Sequence, residues 1–229
     1  NDNTQQDLLI IYTQAACNYA GSCAQIEANI HTAVSEMNTA YAESGVDITM
    51  NLVGVEFTSY DDSSNTSATM LTHLQGTSDG NMDSVHTLRD TLGADLVGLV
   101  HNGDGCGRGY IGASAAYAFT ITDANCLVGN RTLAHELGHN QGARHDRTTD
   151  STGSSSTGYN FGYRRCNDGS GEDLGAPYFR TNMAYSCTSA PRVGRFSNPN
   201  VTYFGVAQGI DPDAGDPLKG AWNARTLNE

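Results

Sequence analysis

"AHELGHNQGARHD", residues 134 to 146, gathers three of the chain's seven histidines, His135, His139 and His145, around one glutamate, Glu136. In an α-helix, residues four apart share a face, so His135 and His139 present both imidazoles to the same side. Glu136 neighbours the first of them and can lean over the space between the rings. Gly142 can take a left-handed conformation and end the helix in a sharp turn, which lets His145 come round to the same point. Three neutral imidazoles bind Zn²⁺ at roughly 2.0–2.1 Å and leave a fourth position for water, the pattern of a catalytic site. A structural zinc site needs a fourth protein ligand, most simply a thiolate. A bare HExxH is often an accident of a solvated helix face, but the longer HExxHxxGxxH fixes five positions.

Composition narrows what surrounds this site. The chain has 229 residues and a net charge of -13, with Lys219 as its single lysine. An acidic surface repels phosphate backbones, so no nucleic-acid partner is expected. No stretch reaches the roughly 18 apolar residues of a membrane span. Residue 1 is Asn and no leader is visible, so a mature fragment is expected, either processed, with an N-terminal propeptide removed, or trimmed for expression. The six cysteines, Cys17, Cys23, Cys106, Cys126, Cys166 and Cys187, allow fifteen connectivities. Nearness in sequence suggests 17–23, 106–126 and 166–187. No CxxC spacing occurs, and an even count without metal spacing points to an oxidising, secreted setting; six buried thiols in a cytosolic protein are the alternative.

Periodicity then supplies the frame. "DLLIIYTQAA", from Asp7, reads as a buried strand. Ile26, Ile30, Val34, Met37 and Tyr41 recur at helical spacing, and Gly45 stops that helix. "VDITMNLVGVEFTSY" alternates as a second strand, a short helix is expected near 67–75, and "MDSVHTLRDTLG" reads as a further amphipathic helix. "ADLVGLVHN" is a fully buried strand, and strand-like pieces follow near 109–121 before a helix over 130–141. Strands alternating with long helices predict an α/β fold: a mostly parallel twisted sheet, two long helices and the histidine helix. We expect one catalytic domain over 1–229, with an upper α/β lobe (1–141) and a smaller, irregular lower lobe (142–229).

The string "HELGHNQGARHD" resembles the zinc signature of the metzincin metallopeptidases. That clan also carries a methionine turn, for which "RTNMAYSC" offers Met183. Asp146, directly after the third histidine, is similar to the adamalysin (reprolysin) branch. Tyr185, two after Met183, is instead similar to astacins and serralysins, in which a tyrosine approaches the metal. "ADLVGLVHNGDGCGRGYI", "FRTNMAYSC", "APRVGRFSNPNV" and "WNARTLN", in this order, resemble bacterial peptidyl-Asp metalloendopeptidases over roughly residues 95–229.

The resemblance implies one catalytic Zn²⁺ and protein or peptide substrates. Glu136 would act as general base, and Tyr185 either ligates zinc at rest and swings to donate to the oxyanion or is simply packed. It also implies an extended substrate along an edge strand, for which "GYIGASAAYAF" is the candidate, and a specificity pocket after Met183. There Arg192 and Arg195 would reward Asp after the cut, Arg192 foremost. "DPDAGD", 211–216, could hold Ca²⁺, although such residues usually make turns. A monomer is expected. Two further classes compete: a zinc-bearing toxin- or adhesin-type binding module without turnover, and a zinc amidase acting on small amides.

Overall fold

The computed structural model describes residues 4–167, 174–214 and 216–229. By chain contacts it forms two units, one holding Asn3–Asn38 and Thr49–Asn140, the other Thr39–Ile48 and Gln141–Glu229.

The first unit is built on β1 (Thr4–Tyr12), whose second half, Leu8 to Tyr12, is buried. The strand stops there, short of the expected Ala16. Thr13 turns the chain and caps α1 (Gln14–Ala20), its hydroxyl accepting from the Ala16 N–H at 3.2 Å. Next comes α2 (Cys23–Ser44), whose Ile26, Ile30 and Met37 are fully buried, as their spacing predicts. β2 (Ile48–Phe57), α3 (Ser67–Gln75), α4 (Ser84–Leu92) and β3 (Leu96–His101) follow. Of the two helices read as long, α2 has 22 residues and α4 only nine. The Gly93 φ of 65° ends α4.

β4 (Gly107–Gly109), β5 (Phe119–Asp123), the single turn α5 (Ala124–Leu127) and α6 (Thr132–Asn140) complete the unit. The sheet order is β2-β1-β3-β5-β4. β1 runs parallel to β3 (Leu8 opposite Leu96), β3 parallel to β5 (Val97 opposite Phe119), and β4 antiparallel to β5. The expected mostly parallel sheet is present, with an antiparallel strand at one edge. Leu9, Ile11, Val97, Leu99, Phe119 and Ile121 point to one face and pack with Met70, Leu71 and Leu74 of α3. Each such side chain contributes about 1.5–3 kcal/mol on burial. The stretch "GYIGASAAYAF" is mostly not strand: β4 ends at Gly109, and a 3₁₀ turn at Ala115–Tyr117 intervenes before β5.

In the second unit, short strands replace long ones: β6 (Arg144–Asp146), β7 (Phe161–Gly162), β8 (Arg164–Arg165), β9 (Phe179–Arg180), β10 (Asn198–Tyr203) and β11 (Val206–Gln208), then α7 (Asn223–Leu227). The last turns of α2 group here. Tyr41 stacks on Phe196 at 5.5 Å, and Ser44 Oγ accepts from the Phe196 N–H at 2.8 Å. Disulfides join Cys17–Cys23, Cys106–Cys126 and Cys166–Cys187, the connectivity suggested by nearness.

Candidate metal centre and its surroundings

α6 is buried along its whole length, which is why its polar face must be satisfied by function or by partners. It begins at Thr132, not at residue 130, so the capping position falls on Arg131, whose carbonyl accepts from the His135 N–H at 3.1 Å. The His135 and His139 rings sit 4.8 Å apart, edge to face, as four-residue spacing requires. Beyond the helix the Gly142 φ is 95°, open only to glycine without strain. The chain reverses there into β6. One ring nitrogen each from His135, His139 and His145 could hold a metal ion, and these three lie within 4.8 Å of one another, the single such group among the described residues. Burial holds His145 below the ordinary imidazole value against the pull of Asp146 and Asp150, favouring the neutral ring that a metal needs. The donor set, three imidazoles with Glu136 beside the first, fits zinc.

Asp146 ties the third histidine to the methionine segment. It is 1% exposed; one carboxylate oxygen accepts from the Tyr185 N–H at 2.9 Å, the other from Thr149 and from Arg164 at 3.2 Å. Met183 is fully buried within a turn closed by the Ala184 N–H to the Thr181 carbonyl at 3.1 Å. That turn is pressed against β7: a β-carbon on Gly162 would lie 2.9 Å from the Met183 carbonyl carbon and the Ala184 nitrogen. Tyr185, 48% exposed, lays its ring against His145 at 4.4 Å. Its phenol is therefore beside a ligand ring rather than sealed in a core.

The arginines separate. Arg195 donates to Glu43 at 2.8 Å and to the Thr202 carbonyl, so its guanidinium already has partners within the chain. Arg192 is half-buried and bridges to Arg180, which in turn pairs with Arg164 across β8 and β9. Three arginines thus stand abreast. Arg180 gives one nitrogen to the Ala184 carbonyl at 2.9 Å, while its buried Nε has no hydrogen-bond partner among the described residues. Sequence reading passed over Arg180 although it lies inside the quoted "FRTNMAYSC"; nothing in the sequence says that residues 164, 180 and 192 share a row.

Calcium finds no support. Asp211 accepts from the Asp213 N–H, Asp213 pairs with Arg225 and Asp216 caps Leu218, so two carboxylates serve turns and the third an ion pair, and Gly215 lies outside the described residues. Of the other histidines, His73 bonds Tyr60 and His86 the Gly76 carbonyl; His101 is fully buried. Among the described residues no helix is long and apolar enough to cross a membrane.

Two histidines on a helix and a third just after it, together fitting zinc, in a chain with a mostly parallel sheet define a class, and residues 2–203 match the model of metallo-peptidase family M12, to which the chain belongs. It is 41% identical over 205 residues to the peptidyl-Asp metalloendopeptidase of Stenotrophomonas maltophilia (strain K279a), covering 88% of this chain and 47% of that one. A protein of the same name from Xanthomonas campestris pv. campestris is 40% identical over 205 residues, covering 88% and 46%. One from Pseudomonas fragi is 32% identical over 169 residues, covering 73% and 85%. The chain spans about half the length of the first two. A chain in a solved chaperone–substrate complex shares the fold, with a TM-score of 0.73 at 21% identity over 99% of this chain and 37% of that one.

Proposed function

We propose that this chain is the catalytic domain of a secreted zinc endopeptidase that cuts peptide bonds on the amino side of Asp. The observation that carries this reading is the convergence of His135, His139 and His145 within 4.8 Å, with Glu136 beside the first. These three side chains would hold the metal. When bound, zinc supplies Lewis acidity at the scissile carbonyl and acidifies water. Glu136 takes the proton of the attacking water and returns it to the leaving amine. Tyr185, against His145, donates its phenol to the oxyanion. Met183, in its buried turn, would serve as the methionine turn of this class of protein. β4, at the edge of the sheet order, offers its outer backbone to an extended peptide.

The Asp preference draws support from Arg192 and Arg180, abreast in a chain whose net charge is -13. A half-buried guanidinium row is complementary to a carboxylate and rewards it with charge-assisted bonds. Relatives named for peptidyl-Asp cleavage point the same way. Three disulfides accord with an extracellular setting. The test is a digest of unfolded casein by the zinc-loaded chain, with and without chelator, the cut sites read by mass spectrometry. Chelator-sensitive cuts before Asp are expected. Zinc bound without hydrolysis would make the chain a binding module, and cuts before apolar residues would sink the pocket assignment alone.

A further inference from the structure

β4 reads Gly-Arg-Gly, and a strand's side chains alternate between faces, so Gly107 and Gly109 share one face while Arg108 takes the other. Arg108 reaches Ser67 Oγ at 3.4 Å. The glycine face lies directly on α6. A β-carbon added at Gly107 would sit 2.6 Å from Thr132 Cγ2 and 2.8 Å from both Cγ and Oε1 of Glu136. One added at Gly109 would sit 2.8 Å from the Glu136 carbonyl oxygen. Neither glycine has a positive φ, so the backbone conformation does not call for glycine at either place. What both provide is space.

We propose that Gly107 is a positioning residue for the Glu136 carboxylate: its bare backbone is the wall against which the base rests. Glu136 is 6% exposed and Thr132 4%, so a methyl group at 107 cannot be absorbed by solvent. Thr132 is β-branched and stiff at χ1. Glu136 turns about three side-chain bonds, so it is the carboxylate that yields. Displacing a reacting group by about 1 Å costs on the order of 10²-fold in rate. Gly109 differs, because its contact is main chain: a side chain there must move the helix itself, and both ligands with it. The two glycines therefore divide the work, Gly107 placing the carboxylate and Gly109 placing the helix.

This inference rests on Glu136 being the base, so the experiment compares wild type, Gly107→Ala, Glu136→Gln and the double variant, all zinc-loaded, on one peptide substrate. Gly107→Ala should lower kcat by about 10²-fold, with KM within about twofold and zinc content unchanged. Added to Glu136→Gln, it should change the residual single-turnover rate by less than about twofold. A crystal structure of Gly107→Ala should show the carboxylate moved by about 1 Å and α6 in place. Should that variant not fold, Gly107→Ala with Thr132→Ser removes the 2.6 Å contact and should show the same kcat loss. Gly107→Ala at near wild-type turnover beside an inactive Glu136→Gln overturns the proposal alone, as does an equal loss in both backgrounds. An active Glu136→Gln overturns the base assignment and this proposal together.

Discussion

Arg192 and Arg195 sit three residues apart, and their surroundings assign them opposite expectations. Arg195 is held by Glu43 at the surface, where such a pair is worth about 0–1 kcal/mol. Arg195→Ala should leave the preference for Asp over Asn intact. Arg192→Ala should flatten it by about 30-fold or more, since stranding a carboxylate from a buried guanidinium costs roughly 2–5 kcal/mol. kcat/KM on matched Asp and Asn peptides measures both, and loss of the preference in Arg195→Ala would reverse the choice. His101 makes a second expectation. It is fully buried, 3.9 Å from Asp123, and neither ring nitrogen has a hydrogen-bond partner among the described residues. Burial pushes it below its ordinary 6.5 despite Asp123, Asp62 and Asp104. As pH falls below that value the unfolded chain takes up the proton first, so stability is lost between the ordinary value and the lowered folded one. Urea midpoints should fall from about pH 7 to about pH 5, and His101→Gln should flatten that slope; parallel slopes would refute it.

Among the elements, β6 and the Met183 turn are joined by one buried carboxylate. Asp146→Ala would strip Arg164 of its ion pair and the Tyr185 N–H of its acceptor. A loss on the order of 3 kcal/mol is expected in denaturant unfolding, because a half-buried guanidinium loses its Asp146 carboxylate. Zinc affinity should weaken about 10- to 100-fold as His145 loses its anchored neighbour. Unchanged stability would mean that Arg164 finds another carboxylate. Elements were legible in the sequence where periodicity was long: α2, β3 and the histidine helix follow directly from spacing. α1 was not, because "TQAA" carries no apolar period and only the Thr13 cap marks its start. The short strands β6 to β9 have two or three residues each, too few for any alternation to show.

For the molecule as a whole, cross-links are shared between the units: Cys17–Cys23 and Cys106–Cys126 lie in the first, and Cys166–Cys187 braces the loop-rich second. Chain-entropy arguments give about 3 kcal/mol for a loop of about 20 residues and about 2 kcal/mol for one of about six. Replacing Cys166 and Cys187 with Ser, or Cys106 and Cys126, should therefore lower unfolding free energy more than replacing Cys17 and Cys23, whose separation is six residues against 20 and 21. Urea titration of the three double variants gives the ranking, and an inverted order would show that native-state contacts outweigh loop closure. Spacing alone was enough for the histidine triad, the glutamate beside it and the mostly parallel sheet, because a helix and a strand have fixed periods and a metal demands a fixed donor set. Tertiary structure alone decided that Arg195 belongs to Glu43, that Arg180 stands beside Arg192, and that Gly107 abuts Glu136. Those relations join residues far apart in the chain, and only packing, which no local period encodes, brings them into contact.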